Sequence, residues 1–311
     1  MIYTCTLNPS VDYLVQADKI QIGELNRIEN EMKIPGGKGI NVSRVLKRMN
    51  VESKALGFIG GFTGEFVRDA LKAEYIGCNF VSVSGDTRIN VKLKADKETE
   101  INADGPIILA EELEQLMEKL DALTPEDILV LAGSIPKSLP SSLYKQIMEH
   151  VQHKNVKVVV DTTGQTLLDV LPLKPFLVKP NHHELGELFN VTIETVEEAI
   201  PYGRKLVEMG AENVIVSMAG MGALFFTKNS VHYANVPSGE LKNSVGAGDS
   251  VVAGFIGSYV KKGSLLHAFK YGVTAGSASA FSIGFCTEEY IQTLINQVKI
   301  REINEGAAVT S

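Results

Sequence analysis

The chain of 311 residues is poor in cysteine, with three in all, at Cys5, Cys78 and Cys286. Such wide spacing fits neither a disulfide framework nor a zinc site. Basic charge is also short: 30 Lys and Arg against 37 Asp and Glu leave a net charge of −7 at pH 7. Phosphate backbones attract a surplus of Lys and Arg, so the balance argues against a nucleic-acid partner. A small anion held at a local positive site stays compatible with it. No apolar run approaches the roughly 20 residues of a membrane span. The best, at 251–260, is interrupted by Gly254, Gly257 and Ser258. The first residues, Ile2-Tyr3-Thr4-Cys5-Thr6-Leu7, carry no basic leader region and no cleavage site. Together these absences lead to the expectation of a cytoplasmic α/β protein without a membrane partner. Internal repeats, low-complexity segments and long linkers are missing as well.

What is present is an alternation of two patterns. Short, apolar, mostly β-branched runs occur at 2–7, 54–59, 128–132, 156–160, 176–179 and 214–217. Runs of this kind predict buried strands of a mainly parallel sheet. Between them lie amphipathic stretches, such as 111–120 with Leu113, Leu116, Met117 and Leu120 at helical spacing, and 141–150 with Leu143, Ile147 and Met148. Strand and helix in turn imply a three-layer sandwich with right-handed crossovers. Ligands on such a sheet bind beyond the carboxyl ends of its strands.

Two segments break this rhythm. In 88–103, Ile89, Val91 and Leu93 alternate with Asn90, Lys92 and Lys94 before a charged turn, which predicts a two-faced antiparallel hairpin. The stretch 11–34 has no helical period and alternates at positions such as Ile20, Ile22 and Leu25. The two are expected to pair as a small sheet covering a cleft. Because a small sheet with one apolar face is marginal alone, that face must close on the ligand, the core or a second subunit. The whole chain, 1–311, is therefore expected to be one domain with a lid from about 11–34 and 87–103. The lid tip at 96–99 and the tail at 306–311 have the composition of mobile segments and receive no function.

Two glycine-rich helix starts carry the chemistry. Asn243-Ser244-Val245-Gly246-Ala247-Gly248-Asp249-Ser250 precedes an apolar helical run. The glycines let consecutive N–H groups face one way, and the following helix start adds positive dipole character, so the segment is a ready anion site. A carboxylate beside a bound anion is unfavourable unless it has a task, and removing a proton from an attacking hydroxyl is such a task for Asp249. The plain alternative is a capped helix after a glycine turn. The second start, Pro35-Gly36-Gly37-Lys38-Gly39-Ile40-Asn41-Val42, suits a polyhydroxylated, phosphorylated ligand. It is not a Walker A loop, since Gly39 follows Lys38 where Ser or Thr is required. No glycine cluster has the third glycine and the acidic partner of a dinucleotide-binding fingerprint.

Those two stretches resemble the two signatures of the PfkB (ribokinase-like) sugar kinase family, in the family's order and separation. Thr6-Leu7-Asn8-Pro9-Ser10-Val11-Asp12, Lys179-Pro180-Asn181-His182-His183-Glu184 and Val216-Ser217-Met218-Ala219-Gly220-Met221-Gly222-Ala223 extend the likeness over essentially the whole chain. The resemblance implies a ribokinase-like αβα sandwich with a β-sheet lid. It also implies MgATP-dependent, direct in-line phosphorylation of a ketohexose phosphate, fructose 1-phosphate giving fructose 1,6-bisphosphate. Tagatose 6-phosphate is the alternative substrate, and a non-catalytic sugar-phosphate sensor the alternative from another class. By the same resemblance Asp249 is the base, and the backbone of Gly246, Ala247 and Gly248 receives the transferred phosphoryl group. Asp12, Gly37, Lys38 and Asn41 hold the sugar, with Arg27 and Arg88 as candidates for its existing phosphate. Lys179, Asn181, Ser217, Gly220, Gly222 and Ser277 serve ATP, while Asn181 and Glu184 act on Mg²⁺ mainly through water. A homodimer through the lid is expected.

Overall fold

The computed structural model describes residues 1–303, so the tail at 306–311 lies outside the described residues. In chain order the elements begin with β1 (Ile2–Thr6), β2 (Ser10–Gln16), β3 (Asn30–Gly36), α1 (Lys38–Arg48), β4 (Ser53–Gly60) and α2 (Gly61–Ala73). They continue with β5 (Gly77–Cys78), β6 (Val81–Val83), β7 (Arg88–Lys94), β8 (Glu98–Asn102), α3 (Ala110–Asp121), β9 (Ile128–Ala132) and α4 (Leu143–Val151). Next come β10 (Lys157–Asp161), α5 (Gly164–Val170), β11 (Leu177–Val178), α6 (His182–Phe189), α7 (Val196–Glu208) and β12 (Asn213–Ser217). The chain ends with β13 (Ala223–Thr227), β14 (Val231–Ala234), α8 (Ala247–Lys262), α9 (Leu265–Ala280), α10 (Glu288–Leu294) and β15 (Ile300–Glu302).

Eleven strands form the main sheet, in the order β15-β14-β13-β12-β11-β10-β9-β1-β4-β5, with β6 on the outer half of β4. Pairing is parallel from β12 to β5 and antiparallel at the β13–β15 edge. Period-two alternation sorts side chains into two helical layers. Leu129 and Leu131 of β9 join one buried cluster with residues of α3, α4, α5 and α7. Ile128 and Val130 join the other, with residues of α1, α8, α9 and α10. The apolar run at 251–260 lies inside α8, whose residues Asp249–Ser258 are buried. A helix apolar on all sides is then a core helix. Among the described residues no helix is long and apolar enough to cross a membrane.

From β1 the chain moves outward to β4 and then returns to β9 on the opposite side of β1. Such a reversal of strand order opens a crevice at the carboxyl ends of the strands. Over it stands a separate four-stranded sheet, β3-β2-β7-β8. The hairpin expected at 88–103 is β7 and β8, and the stretch 11–34 supplies β2 and β3, whose pairing runs to Gly36. The faces of this sheet differ from simple burial of apolar side chains. Asn90 is buried, whereas Ile89 and Ile101 are exposed on β7 and β8, as are Met32 on β3 and Ile22 and Leu25 in the connecting loop. The face carrying Asp12, Asn90 and Lys92 thus turns inward, toward the crevice, with Met32 on the same side. Ile89 and Ile101 lie on the opposite face, where Val11 is buried.

Where β1 meets β4, one glycine is required by the partner strand's backbone. Gly57 lies opposite Thr6 with φ +133°, and a Cβ there would fall 1.8 Å from the Thr6 carbonyl oxygen. Gly57→Ala is expected to cost about 3 kcal/mol or more by strain and displaced backbone. Gly284→Ala, in open space, should stay within about 0.5 kcal/mol. Denaturant unfolding of both variants checks the contrast.

Candidate active site

The two glycine-led helix starts meet in the crevice. Gly37 caps α1, and Gly246, at φ +77°, caps α8. A Cβ on Gly246 would lie 2.4 Å from the Phe285 ring, so only glycine fits between that ring and the turn. Asn41 in the first turn of α1 donates to Asp249 Oδ2 at 2.8 Å, tying the helices together. The first bond within α8 is from Ser250 N to the Gly246 carbonyl. The N–H groups of Gly248 and Asp249 precede it and have no helical partner. That of Ala247 donates to the Ser244 carbonyl at 3.2 Å.

Charge is concentrated behind this turn. Asp161, at the carboxyl end of β10 and 1% exposed, faces Lys38 Nζ at 3.3 Å and Lys179 Nζ at 3.6 Å. Burial pushes its carboxyl up, but the two ammonium groups outweigh this and hold it below the usual carboxylate range. Asp161 in turn drives the Lys38 ammonium well above the ordinary lysine value. Asp249 has the opposite fate. Its burial, followed by the negative charge of Asp161, raises it to about 6, against the pull of Asn41, Lys38 and Lys179. A carboxylate poised there is ionised at neutral pH and basic enough to accept a proton. Lys179 Nζ would sit 3.2 Å from a Cβ on Gly248, so the lysine lies against the glycine turn.

A cavity of about 510 Å³ opens in front of these groups, a size suited to a small-molecule ligand. Asp12, Gly37, Lys38, Asn41, Arg88, Glu184, Gly246 and Asp249 all line it. Asp12 Oδ1 accepts from Ser10 Oγ at 2.7 Å and Asn90 Nδ2 at 3.2 Å. Arg88 is held by the carbonyls of Asn8 and Ala103 at 2.9 and 3.1 Å. Seven buried side-chain polar atoms have no partner among the described residues. Four of them, on Thr6, Asn8, Arg88 and Asn90, belong to residues lining the cavity. A fifth is Asp161 Oδ2, on the acid that Lys38 contacts. Buried polar atoms are normally paired, so their clustering here marks a surface shaped for a polar ligand.

Several expected residues stand elsewhere. Arg27 is exposed in the loop between β2 and β3, outside the cavity lining. Lys179, Asn181, Ser217, Gly220, Gly222 and Ser277 are not in the lining either. Asn181 and Ser217 are neighbours across a parallel bridge, and Gly222 closes the following turn by accepting from Met218 N at 2.9 Å. Ser277 Oγ donates to Val273 within α9. Asn181 and Glu184 form a reciprocal cap at the start of α6, each side chain accepting from the other's N–H. Among the described residues no three His, Cys, Asp or Glu side chains gather as a metal site. Glu184 on the lining and the unpartnered Asp161 Oδ2 instead suit a magnesium ion brought in on phosphates, which keeps most of its water. Asp161 was missed in the sequence, where its signal is a lone acid closing the apolar run at 156–160.

The sequence profile of the pfkB family carbohydrate kinases matches residues 6–290. A 1-phosphofructokinase of Bacillus subtilis is 57% identical over 303 residues, covering 97% of this chain and all of the relative. A D-tagatose-1-phosphate kinase of Bacillus licheniformis is 34% identical, with the same coverage of both chains. The structure of Escherichia coli phosphofructokinase-2 in complex with fructose-6-phosphate superposes with a TM-score of 0.88. It is 28% identical, over 95% of this chain and 98% of that one.

The raised position of Asp249 has a stability consequence. Its folded value near 6 lies above the unfolded value of 3.8, so folding favours the protonated acid. That contribution is complete below the unfolded value and is lost as pH rises through about 6. Asp249→Asn, which keeps a neutral side chain at every pH, should therefore stabilise the protein by on the order of 2–3 kcal/mol at pH 8. At pH 4 the gain should be much smaller. Chemical denaturation at the two pH values reads the difference.

Proposed function

Because the chain belongs to the pfkB family of carbohydrate kinases, we propose that it transfers the terminal phosphoryl group of ATP to the carbon-6 hydroxyl of fructose 1-phosphate. The observation that carries this reading is the ring of unpartnered polar atoms around a carboxylate raised to about 6. The 57% identical relative named 1-phosphofructokinase supports the sugar. A relative named for tagatose 1-phosphate, at 34%, also carries its phosphate on carbon 1. Together they favour a ketohexose 1-phosphate over the 6-phosphates.

In the proposed step Asp249 accepts the proton of the attacking hydroxyl as the new O–P bond forms and the bond to the ADP oxygen breaks. Phosphoryl transfer relies on positioning and charge neutralisation more than on covalent chemistry. Asn41 holds the Asp249 carboxylate in place, and Asp12, fixed by Ser10 and Asn90, accepts from sugar hydroxyls. The N–H groups of Gly248 and Asp249 face the transferred group, with Lys38 and Lys179 supplying positive charge beside it. Magnesium arriving with ATP would neutralise the phosphates, with Glu184 and Asp161 holding its water shell. The loops at Ser217, Gly220 and Gly222 and the helix face at Ser277 would carry the nucleotide. The small sheet then acts as a lid that excludes water, whose phosphorylation would waste ATP. Its opposite face, with Ile89 and Ile101 exposed, is read as the surface that meets a second copy in a homodimer. Arg27 would lie at that boundary. The three free cysteines are consistent with a reducing, cytoplasmic location.

Purified protein with MgATP should release ADP fastest with fructose 1-phosphate, ahead of tagatose 1-phosphate, tagatose 6-phosphate and fructose 6-phosphate. Asp249→Ala should lower kcat about 10²–10⁴-fold. Preference for a 6-phosphate would reassign the sugar, and ATP binding without turnover would favour a sensor. The pH profile tests the base separately. Since Asp249 must be ionised to accept the proton, kcat/KM should be level above about 6 and fall roughly tenfold per unit below it.

A further inference from the structure

The inward face of the lid carries an ion pair that the phosphoryl-transfer step does not use. Lys92 on β7 and Glu100 on β8 are directly opposite in the antiparallel register, with Nζ and Oε1 2.7 Å apart. Both line the cavity. Along β7, side chains on one face recur every second residue, about 6.6 Å apart. Arg88, Asn90 and Lys92 therefore form one row, anchored at Asn90 by its bond to Asp12. Lys92 is one step further out than Asn90, beyond the sugar-binding carboxylate and away from the β1 end of the sheet, where Arg88 meets Asn8.

The two partners are unequally held. The Lys92 side chain is 14% exposed, whereas that of Glu100 is 44% exposed, and every residue of β8 is open to solvent. Glu100 can leave toward water at little cost, while the lysine stays with its ammonium in the cavity. Resting on the ketohexose-phosphate reading above, we infer that Lys92 binds the substrate's existing phosphate and that Glu100 is the counterion this phosphate displaces. A phosphate dianion competes well for the ammonium, replacing one charge-assisted bond with a stronger one. A neutral sugar cannot make that exchange and leaves the pair closed, so the pair selects phosphosugars over free sugars.

Steady-state kinetics on the full-length protein test this, with fructose 1-phosphate and MgATP varied in turn. Lys92→Met should raise KM for fructose 1-phosphate about 10- to 100-fold while KM for ATP moves less than about twofold. Lys92→Arg should restore part of the loss. Glu100→Gln, which frees the lysine, should lower KM for the phosphosugar about two- to fivefold. This gain should vanish in the Lys92→Met background. An active wild-type enzyme whose Lys92→Met variant keeps its KM for the phosphosugar, or loses both KM values in parallel, overturns the inference. A wild-type enzyme that turns over no ketohexose 1-phosphate instead overturns the functional reading beneath it.

Discussion

The arrangement of the site depends on one buried acid. Asp161 takes up two lysines that come from the first glycine-led helix start and from the strand end before α6. Without its charge, Lys38 and the buried Lys179 would repel each other with no counterion between them. Breaking a buried pair of this kind by removing one partner typically costs about 3–5 kcal/mol. The same charge has a second effect on Asp249, which it helps to keep from ionising too readily. One side chain thus secures the cations and adds to the burial that raises the carboxylate beside them. Asp249, paired only with an amide, is left the more basic of the two acids. This division of labour between neighbouring carboxylates, one fixed as a counterion and one held ready, follows from which of them the ammonium groups reach first.

Around this centre the fold leaves polar atoms without partners, each at a cost of about 1–3 kcal/mol. Two large clusters of buried apolar side chains, one on either side of an eleven-stranded sheet, provide the stability that offsets it. The lid follows a different rule. Its side toward the cavity is polar at Asp12, Asn90 and Lys92, and its other side retains apolar surface at Ile89 and Ile101. The small sheet is anchored at one edge, where Val11 of β2 is buried with Val67 and Leu71 of α2, while β8 at the other edge is open to solvent throughout.

Much of this was legible in the sequence because it is local. The β-branched runs, the 3.6-residue periods and the alternation of Ile89, Val91 and Leu93 with Asn90, Lys92 and Lys94 depend on neighbours within a few residues. The two glycine turns were equally visible, since tight turns and helix starts require those residue types at those spacings. Non-local features escaped. Asp161 reads as an ordinary strand end until the fold brings Lys38, 123 residues away, to its side. The alternation on β7 predicts two faces but not which one turns inward, because that is decided by the crevice beneath.

The bond between Asn41 and Asp249 spans 208 positions of the chain. During synthesis the sugar-facing half of the site leaves the ribosome long before the carboxylate it must meet. A nascent or truncated chain ending before α8 lacks both Asp249 and the glycine turn, so under the proposed roles of these residues no partial product would transfer phosphate before the chain is nearly complete. Quality control is in this sense written into the connectivity: the enzyme becomes competent only when nearly all of it exists.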